Sequence, residues 1–260
     1  MRVVTLFASI LLLFSSCQKR SEQTESVTPG NPLIASQHWE SMSAEGWLPS
    51  QKVEFTYDEN DLLIEETTYA IEGDNMTPSF RTVKSYDEGG SMIRSIRERW
   101  INNQWIFGKR SAFIYNAGKI IQRIDSVAGS NAPITFISYR YDEKGRLENE
   151  LGLRSVEGNM VNQSKINYSY DDRDLLVEKE FPRYSEDSWI NARKMTLVYN
   201  ENGHHIQTIR HNWTDDQWVA DINYILQVDS SGTRISELWK RPGENGLEES
   251  TRVTYSYKSD

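Results

Sequence analysis

The chain has 260 residues with a formal charge of −9, and 11% of its residues are aromatic. Because disordered chains contain few aromatic residues, most of this sequence should fold, as one large domain or as a single repeat array. An acidic surface repels phosphate groups, which argues against nucleic acid and anionic lipid as partners.

The N-terminus has the features of an export signal. Arg2 supplies a positive charge, residues 3–14 are apolar, and two small serines precede Cys17, the chain's one cysteine. An apolar run this short cannot span a bilayer as a helix, so residues 1–16 are predicted to be a signal peptide. The stretch Leu13 to Cys17 resembles a bacterial lipobox, which implies cleavage before Cys17 and lipidation of its thiol. The alternative is an ordinary secretory signal that happens to contain a cysteine.

Residues 17–36 are predicted to form the lipidated cysteine and a flexible tether, because they are rich in Ser, Thr, Glu, Gln and Pro and show no periodicity. Gln18 replaces the aspartate that retains many lipoproteins in the inner membrane, so the resemblance implies an outer-membrane lipoprotein of the cell envelope. The basic pair Lys19-Arg20 leaves open whether it faces the periplasm or the cell surface.

A repeat occupies residues 37–260. Tyrosine followed by an acidic or amide residue recurs at an almost constant interval, with Val228 in one of the tyrosine positions. The tyrosines, here called the anchors, are Tyr57, Tyr86, Tyr115, Tyr141, Tyr170, Tyr199 and Tyr257. Successive spacings along the series are 29, 29, 26, 29, 29, 29 and 29 residues. So regular a series predicts one structural unit per interval.

Each anchor opens a turn. The fourth residue after it is glycine in four units and aspartate, Asp61 or Asp174, in two; the unit of Tyr115 has its glycine one place earlier. A hairpin loop of this length is usually a type I turn closed by a residue with positive φ, which glycine adopts without a steric clash. The predicted turn glycines are Gly90, Gly118, Gly145, Gly203 and Gly232.

The residues before each anchor alternate with a period of two, as Val53, Phe55 and Tyr57 do, which predicts a half-buried strand. A second strand follows each turn. A second turn then has an apolar marker ten residues before the next anchor, and because ten is even we expect the marker on the face of the tyrosine. These markers are Trp47, Met76, Trp105, Met160, Trp189, Trp218 and Leu247.

Counting residues 37–42 as the first half-unit, the pattern predicts an all-β antiparallel meander of about 16 strands. Open sheets of that size curl, so we expect a curled or superhelical single sheet with the Tyr and Trp face inside. The unpaired edge at residues 252–257 would then allow edge-strand self-association or partner docking; the alternative is closure onto residues 38–42. Adjacent charges such as Glu65-Glu66 argue against a lipid-facing band and predict a soluble sheet.

The run Tyr141-Asp142-Glu143-Lys144-Gly145-Arg146-Leu147 resembles the YD repeat of the rearrangement-hotspot proteins and teneurins. The likeness extends over residues 50–260 with a longer period, and the chain also resembles short Bacteroidota lipoproteins built from such units. In the large proteins these repeats form a shell around a cargo, for which this chain is too short. The resemblance therefore implies a fold element and not an activity.

Candidate reactive groups have simpler structural interpretations. The histidines His38, His204, His205 and His211 are expected to face solvent, and two consecutive strand residues point to opposite faces and cannot share a metal. The acid that follows each anchor recurs in nearly every unit, which indicates a turn former rather than a catalyst. We therefore expect no catalytic residue, no metal and no cofactor.

Three functions remain. The sequence favours a noncatalytic binding or scaffold lipoprotein whose ligand is an unknown envelope protein or glycan. The alternative is a glycan-binding lipoprotein in which exposed turn aromatics stack on sugar rings, although such a row is more often core. An envelope hydrolase is third, and would need carboxylates unique to one unit. The candidate stacking residues are Trp47, Trp105, Trp189 and Trp218.

Overall fold

A computed structural model describes residues 32–129 and 134–258, so the predicted signal peptide, Cys17 and most of the tether lie outside the described residues. All described secondary structure is β. The strands are β1 (Ile34–Ser43), β2 (Gly46–Tyr57), β3 (Leu63–Glu72), β4 (Asn75–Tyr86), β5 (Met92–Ile101), β6 (Gln104–Asn116), β7 (Lys119–Val127), β8 (Thr135–Tyr141), β9 (Leu147–Val156), β10 (Asn159–Tyr170), β11 (Leu176–Ser185), β12 (Ser188–Tyr199), β13 (His205–Thr214), β14 (Gln217–Val228), β15 (Arg234–Gly243) and β16 (Gly246–Tyr257). The 16-strand antiparallel meander is confirmed, and it begins three residues before position 37.

The meander closes into a barrel, because β1 pairs with β16 as well as with β2. The expectation of a curled or superhelical open sheet is therefore wrong, and the alternative of closure is correct. Residues 252–257 all pair with β1, and residues 252–254 pair with β15 as well, which removes the free edge on which edge-strand self-association depended. The seam repeats contacts made elsewhere: Arg252 pairs with Glu40 at 2.6 Å and lies over the Trp47 ring, as Arg81 pairs with Glu98 and lies over Trp105.

The turns after the anchors have the predicted geometry. Positive φ is confirmed at Gly90, Gly118, Gly145, Gly203 and Gly232, and aspartate takes the same conformation at Asp61 and Asp174. In a representative turn, Asp171 Oδ1 accepts hydrogen bonds from the N–H groups of Arg173 and Leu175. Each acid after an anchor thus stabilises its own turn, as the repeat predicts.

Each anchor hydroxyl donates a hydrogen bond to a backbone carbonyl of the preceding strand. The acceptors are the carbonyls of Ile34, Leu63, Met92, Ile120, Leu147, Leu176 and Arg234, for Tyr57, Tyr86, Tyr115, Tyr141, Tyr170, Tyr199 and Tyr257. Because the acceptor is the first or second residue of that strand, the bond joins the end of one strand to the start of its neighbour. The anchors are therefore structural.

A β-bulge seven residues before most anchors reverses the faces. The ladder skips Ser50 between Pro49 and Gln51, and the equivalent residue is skipped in β4, β6, β10, β14 and β16. One extra residue moves everything beyond it to the other face. The markers therefore lie on the face opposite to the anchors, so the prediction of a common face is wrong. The serine hydroxyls of Ser50, Ser79 and Ser250 bond the facing carbonyl.

The face of the anchors is the inner one. Side chains converge on the concave side of a closed sheet, and the most deeply buried residues are there: Val53 is 2% exposed, Val253 is 1% and even the large Tyr224 is 4%. Ring contacts continue across the closure, since Trp39 and Trp239 lie 5.1 Å apart with β16 between their strands. The expected inward orientation is correct for the tyrosines.

The outer face carries ion pairs at mid-height. Arg81 and Glu98 on neighbouring strands are 2.5 Å apart, and Lys194 and Glu178 are 2.8 Å apart. Such pairs are typical of a face in contact with water, because unsolvated charge is costly. Within residues 32–129 and 134–258, no helix has the length and hydropathy needed to cross a membrane.

Candidate functional site

The inner wall at mid-height holds several carboxylates, each with a partner. Glu66 meets Lys84 at 2.5 Å, and Asp125 receives Lys109 at 2.8 Å and the Ser111 hydroxyl at 2.7 Å. Elsewhere on this wall, the partners of Glu150, Asp221 and Glu237 are Tyr168, Arg210 and Tyr255. These inward acids at mid-height are therefore already engaged in hydrogen bonds or ion pairs.

Arginines on the inner face near the second turns differ in this respect. In β5, β9, β11 and β15, the arginine that lies sixteen residues before the next anchor is on the inner face. Side-chain alternation puts it on the same face as the deeper inward residues of its strand. These four, here called the arginine layer, are Arg99, Arg154, Arg183 and Arg241. All are solvent-exposed although they point inward, and none has an acidic partner among the described residues. The barrel interior is therefore open to solvent at this level.

Inward cations also lie over aromatic rings. Arg97 and Arg99 lie 4.9 and 5.5 Å from the Phe80 centroid, and Arg241 lies 5.6 Å from that of Trp239. Arg193 lies 4.9 Å from the Phe181 centroid, and its Nε has no hydrogen-bond partner in the part of the chain that the structure describes. Burial, followed by the charge of Arg210, lowers the pKa of Arg193. Guanidinium groups held in this way keep their charge and their hydrogen-bonding edge available to a ligand.

Two carboxylates lie on the inner face near the arginine layer, and acidic turns surround it. Glu72, the last residue of β3, and Glu248, the third residue of β16, lie on the inner face, and Glu248 accepts a hydrogen bond from the Asn245 amide. The second turns themselves are acidic, for example Glu186-Asp187 and Asp215-Asp216, whose φ values are positive. These side chains are exposed, so water and salt screen their charge.

The outer face near the second turns carries an aromatic rim. Facing residues pair across the hairpins, with centroid distances of 5.0 Å for Trp100–Trp105, 5.1 Å for Tyr184–Trp189 and 4.9 Å for Trp213–Trp218. The four predicted stacking residues are partly exposed and point away from the inner wall. They are therefore not core residues. Their exposed apolar neighbours on this face include Met42, Met76, Phe107, Met160 and Leu247.

The histidines form no cluster. His38, His204 and His211 are not brought together with His205, which packs 5.5 Å from the Tyr199 ring and contacts Thr208 Oγ1 through Nε2 at 2.8 Å. Burial, followed by the charge of Arg234, lowers the pKa of His205 to about 4. The expectation that this histidine faces solvent is wrong. No group of three or more potential metal ligands occurs within the described ranges.

A cleft of about 470 Å³ opens near the turn that follows Val228. It is lined by Asp229, Thr233, Arg234, Tyr255 and others. Several of these groups are already engaged, because the hydroxyl of Tyr255 donates to Glu237 and Asp229 accepts the Ser231 hydroxyl. The cleft therefore offers fewer uncommitted groups than the arginine layer.

The arginine layer was missed in the sequence, although a signal was present. Arg154 and Arg183 are 29 residues apart, and Arg241 is two such intervals beyond Arg183. These intervals show that the three arginines occupy equivalent positions in their repeat units. Their inward direction could not be read, because it depends on the position of the bulges.

Comparisons with known proteins give the fold alone. No protein-family model and no curated protein matches the chain. A porin-like protein from Bacteroides uniformis ATCC 8492 is 11% identical with a TM-score of 0.53, covering 88% of this chain and 99% of that one. A porin-like protein from Bacteroides vulgatus ATCC 8482 has the same identity and coverage with a TM-score of 0.39. A Bacteroides fragilis NCTC 9343 protein of unknown function is 15% identical over 45% of this chain and 91% of its own, with a TM-score of 0.38.

Proposed function

We propose that the chain is a noncatalytic binding protein of the cell envelope, anchored by a lipid on Cys17, that holds its ligand in the barrel. The observation that carries this proposal is the contrast on the inner wall between engaged carboxylates and uncommitted arginines. Acid catalysis needs a carboxyl group free to meet substrate, whereas Glu66, Asp125 and Glu237 are held by neighbouring side chains. Uncommitted cations are suited to holding an anion without reaction.

The width of the barrel supports this location for the ligand. Barrels of 16 strands leave an aqueous channel between their walls, and the inward-facing Arg99, Arg154 and Arg183 are exposed to solvent. A ligand entering beside the second turns would meet them before the more buried residues at mid-height.

The outer ion pairs support a barrel that lies in water and contacts the membrane through its lipid. A membrane-spanning barrel presents an apolar band about 25 Å tall, whereas charged pairs such as Arg81–Glu98 and Arg252–Glu40 occupy the outer face here. The likeness to porin-like proteins concerns the fold, and the envelope location rests on the predicted signal peptide and lipobox. The YD-repeat likeness is likewise a proposal, about the hairpin unit only.

Anchoring is tested with Cys17→Ala, and Ser16→Ala serves as the control that keeps the thiol. We expect the cysteine variant to lose metabolic labelling by a palmitate analogue and to leave the membrane fraction or accumulate as precursor. The control should be labelled like the wild type. An unlabelled wild-type protein would contradict the lipid anchor.

Binding without catalysis is tested by capturing envelope glycans and proteins on immobilised full-length protein in detergent. Mass spectrometry of the captured material before and after prolonged incubation should show a retained ligand of unchanged mass. Release of a shortened product would support the hydrolase, and the absence of any retained ligand would contradict binding.

Glycan binding by the aromatic rim is the second candidate function, favoured by the outward, partly exposed tryptophans. Replacing Trp47, Trp105, Trp189 and Trp218 together by alanine should abolish retention of neutral oligosaccharides if sugars stack there. Trp39→Phe, on the inner wall, is the matched control and should retain them. Unchanged retention in the fourfold variant would exclude this candidate.

A further inference from the structure

We infer that the arginine layer binds acidic oligosaccharides, chains of sugars bearing several carboxylate or sulfate groups. This inference rests on the proposed function and names its ligand class. Guanidinium groups match the two oxygens of a carboxylate or sulfate with paired N–H donors. Rings of arginine or lysine in pores select anions by the same chemistry.

The spacing of the arginines favours a ligand with several separated charges. Arg154 and Arg183 occupy equivalent repeat positions on β9 and β11, with β10 between them. Two strand spacings amount to about 10 Å. A chain with charges along its length can engage arginines on all four strands, whereas a compact anion is limited to those that converge on one point.

Local charge supports the same ligand despite the acidic composition of the chain. The acids deeper in the barrel are paired, as Glu66 is with Lys84 and Asp221 with Arg210. On the inner wall at this level, the four arginines face two carboxylates, Glu72 and Glu248, and the acidic residues of the second turns lie beyond them at the end of the barrel. A polyanion that reaches the inner wall would therefore meet more positive than negative charge there.

Sugars fit this wall better than an acidic peptide does. An extended peptide gains affinity by adding its backbone to a free strand edge, and the closed barrel offers none among the described strands. Sugar rings instead use flat aromatic and aliphatic surfaces. Such surfaces lie beside the arginines, since Trp239 lies under Arg241 and the exposed Ile101 and Val156 end their strands inward.

The test measures binding of fluorescein-labelled polygalacturonate and heparin oligosaccharides to the full-length protein in detergent by fluorescence anisotropy. The inner variant carries Arg99→Gln, Arg154→Gln, Arg183→Gln and Arg241→Gln. The outer control removes the same charge through Arg94→Gln, Arg110→Gln, Lys165→Gln and Lys240→Gln. Because the four residues of the arginine layer are exposed and lack acidic partners among the described residues, the inner variant should fold, which circular dichroism and melting temperature verify.

We expect the inner variant to lose at least about tenfold in affinity and the outer control less than about threefold, as specific charge-assisted contacts require. Inorganic sulfate should compete only weakly. Equal losses in both variants would overturn the inference in favour of nonspecific charge attraction, and so would equal binding of a neutral cello-oligosaccharide. A wild type that ignores acidic oligosaccharides but retains another envelope ligand would refute this inference and leave the proposed function standing. Retention of neither would refute both.

Discussion

The two ends of the barrel are built differently. At the anchor end, groups that can hydrogen-bond are largely occupied: tyrosine hydroxyls such as that of Tyr170 bond a carbonyl, and acids such as Asp171 bond the amides of their own turn. At the second-turn end, tryptophans are partly exposed, apolar side chains face solvent, and the arginine layer has no acidic partners among the described residues. At the anchor end the same hydrogen bonds recur from unit to unit. At the second-turn end the arginine layer lacks such contacts with acidic groups among the described residues.

This difference distinguishes residues that the repeated fold explains from residues that are available to a ligand. A residue type that recurs in nearly every unit and is engaged wherever it occurs, as the anchor tyrosine is in seven of eight units, is explained by the fold. The arginines recur in only half of the units; two of them lie over aromatic rings, and none has an acidic partner within the described ranges. Proteins gain little stability from exposed unpaired cations, and the ligand binding that we propose would give these residues a role.

The largest effect on stability should come from removing an anchor ring. Tyr141→Ala should lower the free energy of unfolding by about 3–5 kcal/mol, because the ring packs on the buried cluster of Ile120, Ile137, Tyr139 and Leu147 and its hydroxyl bonds the Ile120 carbonyl. Trp189→Ala at the other end should cost about 1 kcal/mol, the value of one partly exposed aromatic pair. Urea denaturation measures both.

Tyr141→Phe is the control for the hydroxyl and should cost about 1 kcal/mol, the net value of one hydrogen bond. If Trp189→Ala destabilises the barrel as much as Tyr141→Ala does, the distinction between a structural end and a binding end is wrong.

A smaller effect is expected at a turn glycine of the anchor end. Gly203 has φ of 79°, and an added Cβ would meet only Leu175 Cδ1 at 3.9 Å, so backbone strain alone opposes substitution. Gly203→Val should cost about 1–3 kcal/mol. Gly203→Asn should be mild, because Asp61 and Asp174 hold the same conformation in other units. Equal melting temperatures for the two variants would refute the turn assignment.

The smallest effect concerns the pH dependence of a single turn acid. The Ser231 hydroxyl, followed by the Thr233 amide, lowers the pKa of Asp229. Because its pKa is lower in the folded state, this carboxylate stabilises the fold fully above its unfolded pKa, and the contribution disappears as pH falls through the folded pKa. The Tm difference between wild type and Asp229→Asn should therefore narrow from about pH 5 toward pH 3.

The turn at Asn200 is the uncharged reference for Asp229→Asn. There the side-chain amide oxygen of Asn200 accepts a hydrogen bond from the His204 N–H. Asn200→Ala should shift Tm by the same amount at every pH in that window. A difference between wild type and Asp229→Asn that stays constant with pH would mean that the charge of Asp229 does not contribute.

The number and direction of the strands were predictable, and so were the turns, because these features are local. A positive φ at Gly145 or Asp174 follows from the few residues around it. Period-two alternation, as in Val53, Phe55 and Tyr57, identifies a strand without knowledge of its neighbours. The candidate site was less predictable, since the repeat identifies Trp47, Trp105, Trp189 and Trp218, whereas the inward direction of the arginine layer depends on the bulges.

Which face each residue occupies and whether the sheet closes were decided by the tertiary structure. The skipped residue at Ser50 reverses the faces between Trp47 and Tyr57, and nothing in a simple alternation reveals it. Closure depends on the summed twist and stagger of all 16 strands, a property of the whole sheet. Sequence alone therefore determined the hairpin, its turns and its repetition. Only the assembled barrel decided that the tryptophans lie outside, that the arginine layer lies within, and that β1 pairs with β16.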